Sequence, residues 1–193
     1  MTDDILHERG RAIEAQWARQ RDEELIKKLR ERAKLEEVSR ALARKLRVDD
    51  PELRQRLIDL GVTHDTGPAL FLAPLVQIAW ADGDVTERER ETILGMAAAR
   101  GSGPGSPAHT QVVEWLKKQP ATALYEAAVE VIKVGISVLP LEEREQRVDA
   151  YADSFRRVAE ASGGGLGRVL GLASAISPEE EALIARITAT LRG

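Results

Sequence analysis

Cysteine is absent from this chain of 193 residues, which removes disulfides, thiolate metal sites and cysteine nucleophiles from consideration. Histidine occurs three times, as His7, His64 and His109. The three are far apart, and no nucleophile elbow accompanies the His64-Asp65 pair, so each reads as structural or solvent-facing. No apolar run approaches the ~20 residues that a membrane span needs. The first residues, Met1-Thr2-Asp3-Asp4, are acidic where a signal peptide would be basic and then apolar. The expectation is a soluble cytoplasmic protein. Aromatic residues are scarce at 4%, and no segment shows the period-two alternation of a half-buried strand.

What is present favours helices. Charged residues make up 31%, and Ala, Leu, Glu and Arg, whose side chains lose little rotamer freedom in a helix, are abundant. The net charge of -4 is unevenly spread: residues 1–47 carry about +3 and the remainder about -7, an asymmetry that bears on partners rather than fold. The spacing predicts an all-α protein. It divides into a charged helical arm over 1–47, a short helix and linker over 48–63, and a compact helical domain over 64–193.

The arm has no Gly or Pro after Gly10. Glu23/Lys27, Glu24/Lys28 and Glu36/Arg40 stand four apart with the acid first, the favourable order. Its apolar positions (Leu6, Ile13, Trp17, Leu25, Leu29, Leu35, Val38, Leu42, Leu46) form a thin stripe without a strict heptad. At 1.5 Å per residue such a helix extends roughly 65 Å, too long to lie wholly on a small domain. It reads either as a solvated appendage or as a helix that docks on a protein partner or on a second copy of the chain. Its mixed charge argues against nucleic acid, because interleaved glutamates repel phosphates.

Asp50-Pro51 is an N-cap followed by Pro at N1, and Gly61 suits the end of that short helix, whose face is Leu53, Leu57 and Leu60. Residues 68–81 are almost wholly apolar and belong in the core, with Pro74 kinking the segment or splitting off its first turn. A helix over 87–100 turns Ile93, Leu94 and residues 96–98 inward. Another begins at Ser106-Pro107. A third, over 122–138, buries Leu124, Ala128, Val131 and Ile132, with Gly135 allowing a close crossing. A fourth, over 141–161, carries Val148, Tyr151, Phe155 and Val158, and a last one opens at Ser177-Pro178-Glu179-Glu180 with Leu183, Ile184, Ile187 and Leu191 inside. Trp80 and Trp115, on apolar faces, read as core anchors. The glycines of 163–167 lack both the P-loop ending and the last glycine of the dinucleotide fingerprint, so they read as a helix connection.

The stretch over residues 80–91 joins the apolar run to a charged helix and gathers carboxylates around Gly83. Thr86 and Glu89 have the spacing of a capping box. Asp82, Asp84 and Glu89 are also the candidate metal ligands, since Ca²⁺ and Mg²⁺ prefer oxygen donors. Asp82-Gly83-Asp84-Val85-Thr86 with Glu89 copies the back half of an EF-hand loop, but Ile78 and Trp80 stand where the first ligands belong, which excludes an EF-hand. Val85-Thr86-Glu87-Arg88-Glu89 aligns with Ile176-Ser177-Pro178-Glu179-Glu180, in which Ala173 and Ala175 replace Asp82 and Asp84. The comparison predicts two pseudo-repeated helical halves with a single site at most.

Ala79-Trp80-Ala81-Asp82-Gly83-Asp84-Val85-Thr86-Glu87-Arg88-Glu89 resembles the signature of the tellurite-resistance TerB-like domains, and Ile176-Ser177-Pro178-Glu179-Glu180 is similar to the weaker second copy in that fold. The resemblance covers about residues 64–192. It implies a compact all-α fold of two related halves, an association with stress response, and divalent-metal binding at the acidic turn, which by position falls on Asp82, Asp84 and Glu89. More faintly, the arm (Glu8-Arg9-Gly10-Arg11, Trp17, Asp22-Glu23-Glu24-Leu25, Arg32-Ala33-Lys34-Leu35) resembles the start of zeta-type inhibitors of the rotary ATP synthase. The leading expectation is a non-enzymatic interaction protein working through its arm, with a cation tuning the turn. The alternative is a regulator or inhibitor of a large ATPase.

Overall fold

The computed structural model describes residues 21, 23–30, 33, 36, 37, 39–41, 43–46, 48–162 and 176–193. Two compact units divide the chain, Met1–Arg40 and Ala41–Gly193. In the first, residues 23–30 are helical and exposed. The second includes Leu46 and Val48, both of which are buried. Leu6, Ile13, Trp17, His7, Leu35, Val38 and Leu42 lie outside the described residues, as do the glycines of 163–167.

Asp50 opens α1 (Pro51–Asp59) by accepting hydrogen bonds from the amides of Glu52 and Leu53 at 2.8 and 3.3 Å. Its side chain thus satisfies amide donors that no helix can pair internally. Gly61, at φ +78°, reverses the chain, and the Val62 amide returns to the Leu57 carbonyl, as a left-handed helix stop requires. Leu53 and Leu57 are fully buried, whereas Leu60 is only half-buried.

The apolar run is divided at the expected place. A 3-10 helix, Gly67–Leu72, precedes α2 (Ala73–Ala79), with Pro74 in the first turn of α2. Pro has no amide hydrogen to give, and a helix start is where none is needed. Ala73, Leu75, Val76, Ile78 and Ala79 are all fully buried, so α2 is the central rod. It packs against α3 (Glu87–Ala99), α4 (Pro107–Lys117), α5 (Thr122–Ser137), α6 (Leu141–Ser162) and α7 (Pro178–Arg192). Among the described residues no strand occurs, and the fold is all-α.

The inner faces are narrower than the sequence pattern suggests. On α3 only Ile93 and Ala97 join Glu89 in the core, while Leu94 and Met96 are half-buried and Ala98 is exposed. A helix advances about 100° per residue, so a face set by positions four apart carries their immediate neighbours outward. Gly135 does not mark a close crossing: a β-carbon there would meet nothing within 4 Å. The tight packing of α5 is supplied instead by Ala127, Ala128 and Val131. Phe155 of α6 is the largest fully buried side chain. Arg144 caps the end of α5, donating to the carbonyls of Ser137 and Leu139 at 2.8 and 3.4 Å.

Candidate functional site

Residues 80–91 lie between α2 and α3, and their two flanks grip the same helix end. The Trp80 indole Nε1 donates to the Trp115 carbonyl at 2.9 Å. The Arg90 guanidinium donates to the neighbouring Leu116 carbonyl at 3.2 Å. Trp115 and Leu116 are in the last turn of α4, where carbonyls have no partner within their own helix. A buried indole N–H also needs an acceptor. The same two bonds satisfy both needs and tie the acidic turn to α4. Arg90 is further held by the Glu87 carboxylate at 3.4 Å.

Gly83, at φ +97°, makes the turn, and its amide donates to the Trp80 carbonyl at 3.1 Å. A side chain would strain that backbone conformation. Asp82 and Asp84 are both exposed. Asp82 Oδ1 accepts from the Asp84 amide at 3.4 Å, and Asp84 Oδ1 accepts from the Val85 amide at 2.9 Å. Short polar side chains often fold a turn in this way, by bonding to nearby backbone.

Glu89 behaves differently from the two aspartates. It is only 1% exposed, and its Oε2 accepts both the Thr86 amide at 2.8 Å and the Thr86 hydroxyl at 2.7 Å. The Glu89 amide returns to Thr86 Oγ1 at 3.3 Å, completing the capping box. Burial raises the pKa of the Glu89 carboxyl above its ordinary 4.5; the Thr86 bonds oppose that rise, and the charges of Asp82 and Glu180 add to it. Burial disfavours the charged form and bonds to that form favour it, so their opposition is expected.

The second capping box repeats this arrangement at the start of α7. Ser177 accepts from the Glu180 amide at 3.2 Å, and Glu180 Oε2 accepts from the Ser177 amide at 2.7 Å. Glu180 is 2% exposed, and its Oε1 is buried without a hydrogen-bond partner among the described residues. The helix starts at Thr86 and Ser177 thus bury two carboxylates, and the charge of Glu180 contributes to the raised pKa of Glu89. Ala173 and Ala175, the counterparts of Asp82 and Asp84, lie outside the described residues.

The structure therefore distributes the sequence candidates among different tasks. Glu89 closes a buried cap, while Asp82 and Asp84 shape an exposed turn. Among the described residues no group of three or more His, Asp or Glu side chains is arranged to hold a metal ion. His64 is exposed and pairs with Asp65 at 3.1 Å, and His109 sits half-buried in the first turn of α4. Sequence reasoning identified both caps and missed three things: the two-bond grip on α4, the depth of Glu89 and Glu180, and the effect of Glu180 on Glu89. The indole N–H inside an otherwise apolar run was the available signal for the grip. No protein family, curated protein or solved structure matches the chain, so the likeness of residues 79–89 to the TerB-like signature stands on that motif alone.

Proposed function

We propose that the chain is a non-enzymatic interaction protein that engages a protein partner through its N-terminal helical segment. The observation that carries this reading is an uncovered apolar stripe. Within helical residues 23–30, Leu25, Ile26 and Leu29 are 55%, 46% and 58% exposed. Leu25 and Leu29 stand four apart and so share one helix face, with Glu23, Glu24, Lys27, Lys28 and Arg30 around them. An amphipathic helix with apolar anchors at such spacing is the form that docks into a groove, and the charged rim supplies orientation.

The helical domain contributes the mount rather than the contact. In this reading the acidic junction fixes the angle between α2 and α3 through the cap and the grip on α4, and has no catalytic part. The TerB-like resemblance supports a stress-associated role for such a module.

The test is removal of residues 1–40, the boundary of the first compact unit. The shortened chain should keep its cooperative thermal transition and lose the bound partner in affinity capture against the intact chain. If the shortened chain captures the same partner as strongly, the proposal fails. A partner consisting of a second copy would show as a concentration-dependent mass in sedimentation, abolished by the same truncation.

A further inference from the structure

A groove of about 270 Å³ opens between the 3-10 helix, the end of α3 and α6, on a surface that the proposed function does not use. Pro68, Phe71, Arg100, Ser102, Arg147 and Tyr151 line it, and no carboxylate is among the lining residues. That composition is unexpected in a chain whose residues after 47 carry about -7. The Arg100 guanidinium lies 5.8 Å from the centroid of the Tyr151 ring. Arg100 and Arg147 both act on the Tyr151 phenol, pulling its proton affinity down against the effect of burial. Arg100 thus stands over the ring, and Arg147 lines the same groove.

Neither arginine has an ion pair among the described residues. Among the described residues, Arg56, Arg90, Arg156 and Arg192 form ion pairs with carboxylates, whereas Arg100 and Arg147 form none. Glu143, one helical turn before Arg147, is not within ion-pair distance of it. Ser102 is buried, and its hydroxyl makes no hydrogen bond with the described residues. The Ala97 and Ala98 carbonyls at the end of α3 are occupied by the amides of Arg100, Gly101 and Ser102, which leaves the Arg100 and Ser102 side chains available. Two cations that line one groove without a carboxylate partner there favour an anion in it.

We infer that this groove binds a phosphate dianion, either free phosphate or the phosphate group of a small aromatic monoester. The guanidinium groups would take the phosphate oxygens, since a planar fork of N–H donors matches that geometry and its contact with an aromatic ring does not consume the donors. The Ser102 hydroxyl adds a neutral donor, and the face of Phe71, which is half-buried, receives the organic group. The volume lies just under the ~300–1,000 Å³ of sites for larger organic ligands. It suits a phosphate with one ring and excludes a dinucleotide.

The test is titration of the full chain with sodium phosphate and with phenyl phosphate, against sodium chloride at matched ionic strength, followed by calorimetry and by amide and arginine side-chain NMR. Phosphate should produce saturable shifts at Arg100, Ser102 and Arg147 that chloride does not. Arg100→Gln and Arg147→Gln, both at exposed side chains, should each weaken binding by about tenfold or more, with unchanged far-UV circular dichroism. Tighter binding of phenyl phosphate identifies the monoester as the ligand class, and equal or weaker binding identifies free phosphate. Shifts that grow linearly, that chloride reproduces, or that survive in both variants overturn the inference.

Discussion

Replacing Glu89 by alanine and, separately, by glutamine divides the capping role of this carboxylate from its charge. In Glu89→Ala the Thr86 amide and hydroxyl lose the oxygen that accepts both of them at 2.8 and 2.7 Å. Loss of a helix cap costs about 0.5–2 kcal/mol, and the missing buried methylenes add ~0.8 kcal/mol each. Removal of a buried charge partly offsets these terms. The net expectation near neutral pH is a loss of roughly 1–3 kcal/mol, or a fall of about 4–8 °C in Tm at the middle of that range for a chain of this size. Glu89→Gln keeps an acceptor for Thr86, because glutamine serves at that position of a capping box, and should retain most of the stability.

The two variants also differ in their pH dependence. The folded state raises the Glu89 pKa above 4.5, so it holds that proton more tightly than the unfolded chain does. The resulting contribution to stability is fully present below 4.5 and is lost as pH rises through the folded value. Urea unfolding at a series of pH values should show wild type losing stability relative to Glu89→Gln across that interval, with no further change above it. The reasoning is refuted if glutamine costs as much as alanine at every pH, or if the difference between wild type and Glu89→Gln is flat.

Further expectations follow from the surroundings of the same turn. Glu180→Gln removes one of the charges that raise the Glu89 pKa, so a carboxyl ¹³C titration should find Glu89 closer to its ordinary value; an unmoved titration would contradict the influence of Glu180 on Glu89. Trp80→Phe deletes the donor to the Trp115 carbonyl and should lower stability by about 0.5–1.5 kcal/mol in urea. Combined with Arg90→Met, which frees the adjacent Leu116 carbonyl, it should deviate from additivity by about 0.5 kcal/mol or more; strictly additive losses would argue against a shared grip. Asp82, Asp84 and Glu89 are not arranged together to hold an ion among the described residues, so an ion bound there would have to move them. Calcium or magnesium should therefore raise Tm no more in the intact chain than in Asp82→Ala/Asp84→Ala, and a selective rise in the intact chain would show that the cap yields.

The parts of the fold legible in the sequence are those governed by neighbours along the chain. Asp50, Ser106, Thr86 and Ser177 each accept from an amide two or three residues on, and that spacing is written in the sequence itself. Pro74 likewise divides the apolar run where its chemistry requires. What escaped notice depends on residues far apart. The Trp80 and Arg90 bonds span 35 and 26 positions, and the approach of Glu180 to Glu89 depends on how α7 lies in the core. Leu46, buried in the structure, reads as the end of a surface arm, because local pattern cannot tell a solvated stripe from one that a distant element covers. Gly135 was misread for the same reason: a small residue permits a close crossing, and only a neighbouring helix can use it.

The candidate site illustrates the same limit. Three carboxylates around a glycine turn suggest an ion when the chain is read as a line. Once folded, Glu89 is turned inward to Thr86, while Asp82 and Asp84 stay with the exposed turn. The groove at Arg100 and Arg147 had no counterpart in the sequence reading, since Arg100 ends one helix, Arg147 lies on another, and they gain meaning only from the groove they line together with Tyr151.

The central claim is that the chain works through the exposed stripe at Leu25, Ile26 and Leu29 and that the acidic junction is structural. Quantitative affinity capture with the full-length chain tests it most directly, comparing wild type, Leu25→Ser/Leu29→Ser and Glu89→Gln. The stripe variant should lose about tenfold or more of the captured partner, as expected when central apolar anchors are removed, with Tm unchanged, while Glu89→Gln captures as wild type does. Full capture by the stripe variant together with loss in Glu89→Gln would contradict the account and move the function to the acidic turn.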